Sequence, residues 1–134
     1  MSDNERRELI RSTIEEVIVA MPELELGFQS VAGKLQSGMT QEGCSLLQEL
    51  LEVETRIGGF MHEVARELGE PYFALRVSDQ SPIALRERWL GMLDRLRDGL
   101  KARDWTRTCD IVNHEATGES RHTRELLTRA LALV

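Results

Sequence analysis

The stretch WLGMLDRLRDGLKARDWTRTCDIVNHE, Trp89–Glu115, follows the same pattern as FQSVAGKLQSGMTQEGCSLLQELLEVE, Phe28–Glu54, which lies 61 positions earlier. Each stretch predicts a helix, a short polar turn and a second helix. Helices joined by short turns lie antiparallel. A lone two-helix hairpin cannot cover its apolar face, whereas two hairpins can cover each other. We therefore expect two similar hairpins that pack together.

The two stretches agree mainly in residue type. Identical residues are few, so both a true duplication and a chance alignment of two amphipathic hairpins remain open. The paired-hairpin architecture follows in either case. The aligned pairs are Phe28 with Trp89, Val31 with Met92, Leu35 with Leu96, Gly38 with Gly99, Leu50 and Leu51 with Ile111 and Val112, and Glu54 with Glu115.

Periodicity outside the two stretches extends this pattern to the whole chain. An apolar stripe predicts an N-terminal helix over about 4–20, which we expect to end before Pro22 because the residue before a proline resists helical geometry. Further helices are predicted over about 22–38, 41–68, 82–102 and 104–133, with Ser81 and Asp104 as N-caps. The segment YFALRV within the linker 69–81 lacks helical period and could be extended. The predicted fold is a single all-α domain over 1–134: a bundle of about five helices, with an N-terminal helix and two packed antiparallel hairpins, 22–68 and 82–133.

Composition indicates a globular protein and sets limits on its partners. The chain has 134 residues, of which 41% are apolar and 30% charged, and its formal net charge is −6. An acidic chain is poorly suited to general attraction of phosphate backbones. The N-terminus shows no apolar leader and no run reaches the length of a membrane span, so we expect a soluble, cytoplasmic protein. Cys44 and Cys109 are expected to be reduced and packed.

Interior carboxylates raise the possibility of a metal site. Glu54 and Glu115 fall on otherwise apolar helical faces, and Glu119 and His122 form one Glu-x-x-His motif. Helical bundles that hold two metal ions need two such motifs, and the second is missing here. The alternative is that the two glutamates reach solvent or pair with arginines. We see no catalytic set and expect neither a cofactor nor an enzymatic function.

Two surfaces are candidates for binding a protein partner. The N-terminal helix carries the stripe Ile10, Ile14 and Val17, which needs a groove elsewhere, in a partner or in a second copy of the chain. The fourth predicted helix is rich in arginine, including Arg88 and Arg95. Interspersed acidic residues favour a solvated face with local ion pairs, or docking of an acidic partner, over binding of nucleic acid.

The turn ARDW, Ala102–Trp105, resembles the inter-helix turn of small all-helical bacterial flagellar export chaperones. The resemblance covers about 85–127. It implies a short helical protein that shields the apolar helices of its partners, and it identifies no binding residue. The function we expect is therefore a non-enzymatic interaction module, such as a chaperone, adaptor or regulatory subunit, that binds partner helices. The alternatives are a bundle that binds a metal or a small ligand through interior Glu and His, and a nucleic-acid-associated regulator that acts through the fourth helix.

Overall fold

A computed structural model describes all 134 residues and confirms the all-α fold class. The elements are α1 (Asp3–Gln36), α2 (Thr40–Leu68), α3 (Glu70–Phe73), α4 (Pro82–Lys101), α5 (Trp105–Asp110), a π-helical segment (Ile111–Ala116) and α6 (Thr117–Leu131). No β-strand is present, and the only β-type pairing joins Val77 to Gln80. Ser81 and Asp104 are side-chain N-caps, as predicted, with acceptor distances of 3.1 Å to the backbone N–H groups of Ala84 and Arg107.

The structure corrects the predicted boundary at Pro22. Residues on both sides of this proline belong to one helix of 34 residues, so there is no separate N-terminal helix. Proline removes one helical hydrogen bond and disfavours the preceding residue's helical geometry, but it does not forbid a helix. Here the apolar stripe runs unbroken from Ile14 through Met21 and Leu24 to Phe28, and all four side chains are buried. Packing of this stripe outweighs the local cost of the proline.

Helix α1 runs along the whole bundle and joins its two core clusters. Its first half packs with the second half of α2 and with α6, around Ile14, Val64 and Leu126. Its second half packs with the first half of α2, with α5 and with the π segment, around Phe28 and Val112. Because both halves of α1 are covered within the chain, its stripe needs no second copy to bury it.

The helices leave one open seam. Helix α1 packs against α2 on one side and α5 to α6 on the other, and α4 packs along α5 to α6. Helices α2 and α4 are bridged at one end by the short helix α3 and approach each other little elsewhere. The bundle is therefore least closed between α2 and α4.

Both hairpin turns have the same backbone geometry. After α1, the amide of Gly38 donates to Leu35 O and that of Met39 to Lys34 O, at 3.2 and 2.8 Å. After α4, the amide of Arg103 donates to Leu100 O and that of Asp104 to Gly99 O, at 3.1 and 3.0 Å. This is the Schellman arrangement that ends many helices. The residue with positive φ is Gly38 in the first turn (82°) and Arg103 in the second (54°), so the turns superimpose at an offset of 65, and Gly99 is not the counterpart of Gly38.

The connection 69–81 differs from the expected extended piece. Tyr72 and Phe73 lie in the one-turn helix α3, and a tight turn follows in which Val77 and Gln80 exchange backbone hydrogen bonds of 3.0 and 2.9 Å. Ser78 and Asp79 in this turn both have positive φ, as a type I′ turn requires. Tyr72 and Val77 are buried, so the connection is packed onto the end of the bundle.

Helix α5, the π segment and α6 form one continuous helix in which only the hydrogen-bond pattern changes, from α to π and back. The backbone keeps helical dihedral angles at Ile111 and at Thr117, the two junctions. The π segment widens the helix by a residue, and such segments often lie at functional sites. Glu115 lies in this segment and pairs with Arg95 of α4.

Candidate functional site

An apolar cavity of about 160 Å³ lies in the open seam, bounded by α2, α3, α4 and α6. Tyr72 and Phe73 of α3 line part of it, and their rings meet edge to face with centroids 5.3 Å apart. Its apolar lining consists of Ile57, Met61, Ala65, Tyr72, Phe73, Pro82, Ile83, Leu85, Trp89 and Leu126. Two of these residues are unusually exposed for large apolar side chains: Phe73 at 43% and Ile83 at 57%. They mark the rim at which the cavity meets solvent.

Glu54 is the one carboxylate in the cavity lining. It is only 6% exposed, and its Oε1 accepts a hydrogen bond from the Ser120 hydroxyl at 2.6 Å. Burial raises the pKa of Glu54 above its usual range, and the Ser120 hydrogen bond lowers it by less. The carboxyl group therefore holds its proton to a higher pH than a surface glutamate does.

Tyr72 and Arg86 add a second polar feature to the same cavity. Burial raises the pKa of Tyr72 to about 12, although the nearby positive charge of Arg86 opposes the shift. Tyr72 thus stays protonated under all ordinary conditions. Arg86 takes part in none of the ion pairs that engage its neighbours Arg88 and Arg95 on α4, so its guanidinium is available to another group.

A polar groove lies on the other side of α4, against the π segment and α6. It contains five of the residues that the sequence singled out, namely Arg88, Arg95, Glu115, Glu119 and His122. Arg88 Nη2 lies 2.9 Å from Glu119 Oε1, and Arg95 pairs with Glu115. His122 Nδ1 is buried without a hydrogen-bond partner and lies 3.8 Å from Glu119 Oε2.

The structure does not assemble the four residues considered for a metal site. Glu54 faces the cavity and bonds to Ser120, whereas Glu115, Glu119 and His122 line the polar groove. No three histidine, cysteine, aspartate or glutamate side chains are grouped to hold an ion. The arginine-pairing alternative holds for Glu115 and also describes Glu119.

The residues considered for partner binding are also used within the chain. Ile10 and Ile14 are buried in the first core cluster, and Val17 packs against it. This corrects the idea that their stripe seeks an outside groove: α2 and α6 supply it. Arg88 and Arg95 remain about half exposed, but their charges are paired with Glu119 and Glu115.

The sequence did not reveal a buried carboxylate, Glu25, that pairs with two arginines. Glu25 is 8% exposed and accepts from Arg121 Nε at 2.8 Å and from Arg124 Nη1 at 3.0 Å, which ties α1 to α6. The signal was present, because Glu25 lies on the buried stripe between Met21 and Phe28. It was missed because a helix start at Pro22 made Glu25 a first-turn residue.

The cavity residues on α3 and α4 were missed for a different reason. Phe73, Ile83 and Arg86 become neighbours of α2 only through the fold of the 69–81 connection, and the sequence has no helical period in that segment.

The two cysteines agree with the prediction in part: both thiols are free, Cys109 is buried and Cys44 is half-buried. None of the helices has the length and apolar character needed to cross a membrane. No protein-family model, curated protein or solved structure matches this chain.

Proposed function

We propose that this protein is a non-enzymatic interaction module that binds an amphipathic helix of a protein partner along the seam between α2 and α4. One apolar side chain of the partner helix enters the cavity and anchors it. The observation that carries the proposal is the cavity itself, with Phe73 and Ile83 exposed at its rim. Exposed apolar side chains around a concave site are typical of helix-in-groove binding.

The proposal places the partner surface away from the N-terminal stripe. Ile10 and Ile14 are buried in the core of the chain, whereas Phe73 of α3 and Ile83 of α4 are exposed beside the cavity in the seam. A helix laid along the seam would complete the bundle, in the way that a further helix fills the gap of an open helical array. Shielding of partner helices is also what the resemblance of the Ala102–Trp105 turn to flagellar export chaperones implies.

The charge of Arg86 also supports the seam as the partner-binding surface. Arg86 lines the cavity without an ion pair of its own, so a carboxylate on the partner helix near the anchor would find a complementary charge. Such rim contacts favour orientation and rate of association more than affinity. We therefore expect the apolar anchor to dominate the free energy of binding and Arg86 to influence which helices are accepted.

A pair of adjacent glycines on α2 allows a sharp test. A Cβ placed at Gly58 or at Gly59 meets no heavy atom within 4 Å, so both positions tolerate a side chain. Gly58 lines the cavity and Gly59 does not. Leucine at either position adds helix propensity, which protects the fold, but only Gly58→Leu places new volume in the cavity.

The experiment selects binders from a displayed library of amphipathic helical peptides and measures their affinity for three proteins. We expect the selected peptides to bind the wild type and Gly59→Leu alike, and to bind Gly58→Leu at least about tenfold more weakly, since their anchor is excluded. Equal binding to Gly58→Leu, or a library without binders, would remove the support for this function.

A further inference from the structure

Glu54 gives the cavity a chemical preference as well as a shape. Its side chain is almost fully buried, and Ser120 satisfies only Oε1. No protein group donates a hydrogen bond to Oε2, and Glu54 lines the cavity. His122 Nδ1 is the one fully buried side-chain atom without a hydrogen-bond partner, so Oε2 keeps access to water through the cavity. An occupant that displaces this water without bringing a donor would leave the oxygen buried and unsatisfied, which is costly. An occupant that brings a donor is therefore favoured over one that is wholly apolar.

The cavity also limits the size of its occupant. Its volume of about 160 Å³ is close to that of an apolar cavity of about 150 Å³ that holds benzene. One six-membered ring fills such a space, and the second ring of an indole would project beyond it toward solvent. Ile57, Met61 and Leu126 supply the apolar walls that a ring requires.

We propose that the anchor is a tyrosine of the partner, whose ring fills the cavity and whose hydroxyl donates a hydrogen bond to the free oxygen of Glu54. This inference rests on the proposed function and specifies its partner. Phenylalanine has the ring without the donor. Lysine has the donor without the ring, and would bring a charge into an apolar space. Tyrosine is also among the residues that most often anchor protein interfaces.

The protonation state of Glu54 does not prevent this hydrogen bond. Either the carboxylate or the carbonyl oxygen of the neutral acid accepts from a phenol. Four other polar side chains line the cavity, His62, Tyr72, Arg86 and Thr123, and Thr123 already donates to Glu119 O at 3.1 Å. A test must therefore separate Glu54 from the remaining lining.

The side chains of tyrosine and phenylalanine correspond to p-cresol and toluene, which differ by one hydroxyl group. Binding of each to the full-length protein is measured by NMR titration, with contacts to the methyl groups of Ile57 and Met61 showing that the cavity is occupied. In an apolar cavity toluene binds better, because the hydroxyl of p-cresol loses its hydrogen bonds to water. We expect the wild type to prefer p-cresol and Glu54→Gln to keep that preference, because its amide either accepts from the phenol hydroxyl or donates to it. Glu54→Leu should prefer toluene. The ratio of the two affinities should change by about five- to tenfold between wild type and Glu54→Leu.

The outcomes separate this inference from the function on which it rests. Toluene binding the wild type as well as p-cresol, or neither compound binding, overturns the tyrosine anchor. An unchanged preference in Glu54→Leu also overturns it, since another group would then hold the hydroxyl. Should Glu54→Leu fail to fold, Glu54→Met takes its place, because methionine is close to glutamate in shape and its thioether is only a weak acceptor. Helical peptides that bind without tyrosine would leave the helix-binding function intact, whereas p-cresol binding without any peptide binder would contradict that function alone.

Discussion

Glu54 on α2 and Ser120 on α6 are joined by a hydrogen bond of 2.6 Å that crosses the interior between two helices not adjacent in sequence. Both residues are buried, Glu54 at 6% and Ser120 at 1% exposure. The serine hydroxyl has one proton to donate and donates it to the carboxyl group. The bond therefore fixes the direction of Glu54 at the wall of the cavity.

This environment predicts a pH-dependent stability. Burial raises the folded-state pKa of Glu54, so the folded protein binds the proton more tightly than the unfolded chain does. Its contribution to stability is fully present below the unfolded-state pKa and is lost as the pH rises through the folded-state pKa, by at most about 1.4 kcal/mol per pH unit. Glu54→Gln lacks this titration, so the wild type should lose stability relative to it as the pH rises.

The measurement is the free energy of unfolding from urea titrations between about pH 4 and pH 8. Subtracting the Glu54→Gln values from the wild-type values cancels the other titrating groups. Glu52→Gln serves as the control, because Glu52 is on the same helix and is exposed. The wild type and Glu54→Gln could instead differ in free energy of unfolding by an amount that changes with pH no more than it does for Glu52→Gln. That result would show that the Glu54 carboxyl is well solvated.

Breaking the Glu25 cluster should cost more from the arginine side than from the glutamate side. Arg121 and Arg124 side chains are 59% and 33% exposed, whereas that of Glu25 is 11% exposed. Glu25→Gln leaves two arginines that water can solvate, and we expect a loss of about 1 kcal/mol in the free energy of unfolding. The double variant Arg121→Ala with Arg124→Ala leaves a buried unpaired carboxylate, for which we expect a loss of about 3 kcal/mol.

Urea unfolding at neutral pH compares the two variants. Arg129→Ala is the control, because Arg129 and its partner Glu125 are both about half exposed and such a pair contributes little. We expect the double-arginine variant to lose more free energy of unfolding than Glu25→Gln. An equal or smaller loss in the double-arginine variant would mean that Glu25 reaches water once its partners are removed.

Gly38 and Arg103 occupy equivalent positions in the two Schellman turns, and exchanging the residue type at each should change stability in opposite directions. Gly38 has φ of 82° and Arg103 has φ of 54°, a region that is strained for residues with a Cβ. Arg103→Gly should raise the free energy of unfolding by about 1 kcal/mol, and Gly38→Ala should lower it by about the same amount. Thermal and urea unfolding of both variants would check this, with Arg107→Gly on α5 as a control in which glycine destabilises a helix. Destabilisation by Arg103→Gly would mean that its side chain contributes more than the backbone strain removes.

The turn geometry explains how much the sequence could reveal. Periodicity predicted the helical class, α2 and α4, and it placed Phe28 and Val112 in the core, where both are fully buried. The internal alignment, however, was read at an offset of 61, and the backbone hydrogen bonds give 65. Four residues are about one helical turn, so amphipathic patterns match nearly as well at either offset. The sequence obscures the true register because the second turn has Arg103 where the first has Gly38, whereas the backbone hydrogen bonds show it directly.

The site was harder to predict than the fold. Glu54 was noticed because a carboxylate interrupts an apolar face, but its partner Ser120 is an ordinary residue of α6 with no pattern of its own. The cavity depends on Phe73 and Ile83, which flank a connection whose path is set by a turn at Ser78 and Asp79. Contacts between elements distant in sequence decide such a site, and no local period records them.

Pro22 provides a test of the claim that packing overrides local geometry in α1. Its ring prevents the backbone hydrogen bond to Ile18 and crowds the preceding turn, yet the helix continues with buried side chains on both sides. If the helix is held against this cost, Pro22→Ala should raise the free energy of unfolding by about 1 to 3 kcal/mol. Glu23→Ala at the exposed neighbouring position should change it by less than about 0.5 kcal/mol. A loss of stability in Pro22→Ala would mean instead that the proline sets a bend that the packing against α2 and α6 requires. Pro22 would then be the residue that lets α1 follow both core clusters.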